Sequence, residues 1–158
     1  ANDGILTACV GDRFCPGDPM TRGDLAVAVA AASDLPVLAS ATPRFHDVSP
    51  RDERATAIAA VDRADILHGF QDGTFGPNEP LSRAQLASML VRAFGLKPVT
   101  TPPPFTDIPA TATHAQEIAT THAAGLTKGC NDDGTRYCGA QHVTRGQLAS
   151  FLDRALNP

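Results

Sequence analysis

The sequence predicts a mainly helical fold made of repeated helix–turn–helix units, and three observations carry that prediction. The stretches "DRFCPGDPMTRGDL" at 12–25, "GTFGPNEPLSRAQL" at 73–86 and "TRYCGAQHVTRGQL" at 135–148 repeat one pattern. Superposing them sets Arg22, Arg83 and Arg145 61 and 62 residues apart, a period expected of stacked supersecondary units. After each arginine the apolar residues recur at i, i+3 and i+4, and the four cysteines form two local pairs at equivalent points of the repeat.

Taken in order, "ANDGIL" at 1–6 aligns with "VDRADIL" at 61–67, so the chain is expected to open where a first helix should be ending. Residues 1–33 then make a partial first repeat. Either the chain is a fragment of a longer secreted protein, or another chain or segment completes that repeat. The apolar side of a helix over Gly23–Ala32, notably Leu25 and Val29, is accordingly expected to lack its partner and to form an exposed patch. A proline-bearing linker covers 34–44, and the second repeat covers 45–94. Its first helix is expected over Arg54–Asp65 and its second after Ser82, the two separated by the turn "GFQDGTFGPNEP". A Pro-rich linker at 95–104 leads to the third repeat at 105–158, with helices over His114–Ala124 and after Thr144. The apolar faces Leu86, Met89, Leu90, Phe94 and Leu148, Phe151, Leu152, Leu156 pack all units as one module.

Composition excludes several functions. The chain has 158 residues, is 42% hydrophobic and carries a formal charge of −4, so no concentrated positive charge invites nucleic acid or anionic lipid. Residues 1–20 lack the basic start and apolar middle of a signal peptide, and no apolar run predicts membrane insertion. No nucleophile–base motif, metal-ligand spacing or cofactor motif occurs, so neither an enzyme nor a cofactor is expected. "NDDGTRY" at 131–137 reads as a polar turn and not a calcium loop, and the five histidines are scattered over separate elements. Cys9 with Cys15, and Cys130 with Cys138, read as two local disulfides rather than free buried thiols. Each would contribute about 2–3 kcal/mol and require an oxidising, extracellular setting.

Each second helix opens on a hydroxyl followed three residues later by Gln85, Gln147 or Asp24, which predicts capping boxes for Ser82–Gln85 and Thr144–Gln147 and a shortened one for Thr21–Asp24. Capping leaves the arginine between them unexplained, because a cation in the first turn opposes the helix dipole. Two roles stay open for Arg22, Arg83 and Arg145. One is a salt bridge to Asp47 or Asp107 of a neighbouring unit; the other is an anion-binding site.

"FHD" at 45–47, "FTD" at 105–107, "ILHGFQDGTFGPNEPLSRAQL" at 66–86 and the threefold T/S-R-x-Q/D resemble S-layer homology repeats over nearly the whole chain. The resemblance implies a pseudo-threefold helical module, secreted and associated with the cell surface. It also implies a non-catalytic anchor on wall polysaccharide with acidic, pyruvylated groups. Arg22, Arg83 and Arg145 would then meet the ligand, with Asp47 and Asp107 lining the clefts and Asp24, Gln85 and Gln147 beside them. This chain departs from the family in having no tryptophan, and in carrying Gln85, Gln147 and Asp24 where the family has glutamate. An extracellular protein-interaction module with the same fold and no sugar site is the alternative.

Overall fold

A computed structural model describes Ile5, Leu6, Cys9 and residues 11–158. It contains five helices: α1 (Arg22–Ala32), α2 (Ala55–Arg63), α3 (Arg83–Ala93), α4 (Ala115–Ala123) and α5 (Arg145–Leu156). Among the described residues there is no strand ladder, only three isolated antiparallel bridges. No helix among them is long and apolar enough to cross a membrane. The expected ending of a first helix at residues 1–4 lies outside the described residues.

The caps fall where the sequence puts them. Ser82 Oγ accepts from Gln85 N and Gln85 Oε1 accepts from Ser82 N, a full capping box that Thr144 and Gln147 repeat. Thr21 Oγ1 accepts from Asp24 N and donates to the Asp24 carboxylate, because aspartate is a methylene too short to reach the Thr21 backbone. At the other end, α2 and α4 stop just before Asp65 (φ 63°) and Gly125 (φ 76°), whose left-handed backbone cannot continue a helix.

Packing corrects one expectation. Leu25 and Val29 are fully buried, not exposed, because α1 packs on α2 across the 34–44 linker, as α3 packs on α4 across 95–104. The helix partner therefore comes from the following unit. Leu25, Val29, Ile58, Val61, Leu86, Leu90, Leu148 and Leu152 share one core, and Phe105, Ile118, Tyr137 and Ala87 form a smaller one. Ala149 of α5 is only half-buried where its counterparts Ala26 and Ala87 are buried.

The units close into a ring. Arg22 N donates to Glu79 O, Arg83 N to Gln141 O and Arg145 N to Asp18 O. The isolated bridges follow the same cycle, joining Thr21 to Pro80, Ser82 to His142 and Pro19 to Thr144. Each second-helix start thus leans on the loop of the next unit, and the third leans on the first.

Candidate ligand cleft between repeats

The three arginines act alike. Arg22 Nε donates to Phe75 O at 2.8 Å, Arg83 Nε to Tyr137 O at 2.9 Å and Arg145 Nε to Phe14 O at 2.9 Å. A second nitrogen reaches further back along the same loop, Arg22 Nη2 to His68 O at 2.8 Å and Arg83 Nη2 to Gly129 O at 3.5 Å. The Arg22 guanidinium carbon lies 4.8 Å from the centre of the Phe70 ring and 4.9 Å from that of Phe75, and the Arg83 carbon lies 4.9 Å from that of Tyr137. Arg22 and Arg83 are 4% and 3% exposed. Burial pushes both below the ordinary arginine pKa, with the charges of Glu79 and Asp47 pulling Arg22 back and Tyr137 and Asp107 pulling Arg83 back. Both remain cations, because arginine starts so high.

The salt-bridge expectation resolves differently. Asp47 takes the backbone N–H groups of Phe75 and Gly76, each at 2.8 Å, and Asp107 takes those of Tyr137 and Cys138 at the same distance. Arginine and aspartate therefore hold the same loop from two sides, one by its carbonyls and the other by its amides. The second and third loops are thus each drawn in from their own unit and from the preceding one. Arg145 is half-buried and lines a cavity of about 320 Å³ with Met20, Asp24 and Arg54. The two cysteine pairs are bonded as expected, Cys9–Cys15 and Cys130–Cys138. "NDDGTRY" is the polar turn anticipated, with the Asp133 carboxylate accepting from Thr135 N and Oγ1.

Holding the third loop in this way leaves an open cleft of about 540 Å³ between the starts of α3 and α4. One wall is apolar, formed by Ile108, Pro109 and Ala112. Thr113, His114 and Gln141 supply polar groups, and His114 Nδ1 pairs with Ser88 Oγ at 2.8 Å. Arg136 stands on the lip, its side chain 60% exposed, with Nε 4.0 Å from the Asp107 carboxylate. Burial pushes the Asp107 carboxyl up, but the N–H bonds from Tyr137 and Cys138 outweigh it and hold the group below the usual aspartate range. A shallow apolar wall facing hydrogen-bonding groups, with the exposed Arg136 cation at the lip beside Asp107, suits a polar ring with an acidic substituent. Sequence reasoning assigned no role to Arg136, and His114 was set aside with the other scattered histidines. The available signal was position, since Arg136 immediately precedes the aromatic residue of the turn.

Fold and cleft together define a helical repeat module with an open cleft at the seam between its second and third units. A family model for the S-layer homology domain matches residues 44–87. An uncharacterized cell wall amidase of Bacillus anthracis is 35% identical over 83 residues, covering 52% of this chain and 15% of that protein. The S-layer protein sap of the same organism is 37% identical over 83 residues, covering 52% and 10%. A cell surface protein of Thermoanaerobacter kivui is 29% identical over 156 residues, covering 96% of this chain and 18% of its own length. The chain contains an S-layer homology domain, and it spans less than a fifth of each of these relatives.

Proposed function

We propose that this chain is a non-catalytic cell-envelope anchor, secreted and cell-surface associated, that binds wall polysaccharide carrying acidic, pyruvate-type groups. The observation that supports this most is the open cleft between the second and third repeats, with an exposed cation at its lip and an apolar wall behind it. In this proposal Arg136 meets the acidic group, while Thr113, His114 and Gln141 hydrogen-bond the ring. Arg83 and Asp107 act from beneath by fixing the loop that carries Arg136. Of the three helix-start arginines, Arg83 thus serves the ligand by shaping the surface it lies on.

Pull-down on purified wall polysaccharide, before and after removal of its acidic substituents, tests the proposal. Binding is expected to the acidic polymer and to be lost with its acidic groups. Arg136→Ala is expected to weaken it about 10- to 100-fold, the worth of a charged hydrogen bond, without lowering the melting temperature. Equal retention on both polymers would overturn it.

A further inference from the structure

The seam between the first and second repeats is built on the same plan as the cleft, and its contents differ. Superposing the units sets Thr21, Gly23, Asp52, Arg54, Pro77 and Asn78 in the places of Ser82, Ala84, Ala112, His114, Gly139 and Ala140, the residues that line the open cleft. At the first seam the Arg54 side chain lies across these positions. Its Nε and Nη2 hold both oxygens of Asp52 at 2.9 and 2.8 Å. Nη2 also reaches Asn78 Oδ1 at 2.9 Å, and Nη1 reaches Pro77 O at 3.3 Å and Thr21 Oγ1 at 3.5 Å.

A guanidinium has five N–H donors, and these five contacts use them all. The side chain is only 17% exposed. Gly23 completes the fit, since a Cβ there would come within 2.9 Å of Arg54 Nη1 and of Pro77 O, whereas Ala84 is accommodated at the open seam. The differences between the seams are therefore concerted. Where the first has Gly, Asp, Arg and Asn, the second has Ala, Ala, His and Ala.

We propose that Arg54 is an internal occupant that closes the first seam, so that of the two seams built on a described helix pair, α1 with α2 and α3 with α4, the second alone offers a glycan cleft. The proposal rests on the wall-polysaccharide reading for the identity of the ligand. It does not need that reading for the closure itself, which follows from the saturated guanidinium.

Two exchanged variants and one spectroscopic measurement test it, using a disaccharide bearing a pyruvate ketal as the calorimetric probe. Wild type is expected to bind one probe per chain. Gly23→Ala, Asp52→Ala, Arg54→His and Asn78→Ala together are expected to raise this to two. The reverse exchange, Ala84→Gly, Ala112→Asp, His114→Arg and Ala140→Asn, is expected to weaken binding at least 100-fold while the protein still melts cooperatively, and it keeps the test decisive if the opening variant fails to fold. In wild type the Arg54 Nε–H resonance is expected to exchange slowly with solvent, and in Asp52→Ala rapidly. Two probes bound by wild type, full affinity in the reverse exchange, or a rapidly exchanging Arg54 Nε–H would each overturn the closure. No binding by any of the proteins, with a slow Arg54 Nε–H, would overturn the glycan reading and the glycan cleft with it, leaving the closed seam as a structural fact.

Discussion

Arg83 and Tyr137 hold each other twice: the arginine Nε donates to the tyrosine carbonyl and the tyrosine hydroxyl donates to the arginine carbonyl, both at 2.9 Å. Tyr137 is fully buried and burial pushes its phenol up, against the pull of the Arg83 charge, so it stays a neutral donor. Arg83→Ala is expected to cost about 3 kcal/mol, because it strands buried carbonyls as well as losing charged hydrogen bonds. Tyr137→Phe removes one neutral bond and is expected to cost about 1 kcal/mol. Urea unfolding of both variants checks the order, and an Arg83→Ala protein as stable as wild type would show that the clamp contributes nothing to the fold.

Both disulfides brace loops whose counterpart in the middle unit has no cysteine and packs Phe70 and Phe75 around Arg22 instead. Intact mass is expected to lie four protons below the reduced value. Reduction is expected to remove about 2–3 kcal/mol per bridge while the far-ultraviolet helical signal persists, because α2, α3 and their core contain no cysteine. Collapse of that signal on reduction under native conditions would contradict this.

Gly69 tolerates no side chain. A Cβ there would lie 2.3 Å from Phe45 Cε1 and 2.4 Å from Thr74 O, and the phenyl ring cannot retreat because it packs at 5.2 Å on Phe75. Gly69→Ala is therefore expected to cost about 1–3 kcal/mol as overpacking, whereas Gly17→Ala, with open space around it, is expected to be nearly neutral. Thermal melts of the pair give the comparison.

Acid should loosen the molecule in a defined window. A hydrogen bond from Arg54 holds the Asp52 carboxyl below its usual range, one from Arg44 does the same for Asp62, and loop amides outweigh burial at Asp107. A folded pKa below the unfolded one gives stability that is complete above the unfolded value, about pH 4, and is lost as pH falls through the depressed folded values. The melting temperature is expected to show no loss from these groups between pH 7 and 5, and a fall below pH 4 that is shallower in Asp52→Asn. A fall that begins near pH 6 would point to histidine instead.

What the sequence disclosed was local. Ser82 with Gln85, and Thr144 with Gln147, advertise their capping boxes because both partners are letters three positions apart. The arginine roles were hidden because their acceptors are backbone carbonyls, which no letter encodes, on loops 46 to 54 positions away for Arg22 and Arg83 and further still for Arg145. Leu25 and Val29 misled for a related reason. The repeat unit defined by sequence runs through its own turn, but the helix pair that buries these residues straddles a proline-bearing linker. Arg54 and His114 differ visibly at equivalent positions, yet the meaning of that difference needs Pro77 and Asn78 brought across the seam.

The bond from Arg145 to Phe14 spans 131 positions, and it changes how the protein comes apart. An open solenoid loses end units at the expense of one interface each, so its melting spreads along the chain. Here no unit is terminal. Releasing any one of them breaks two seams at once and leaves two loops without their arginines, so partial unfolding is penalised almost as heavily as complete unfolding. A pulling force or a wall protease would meet a single cooperative lock in place of three links that yield in turn.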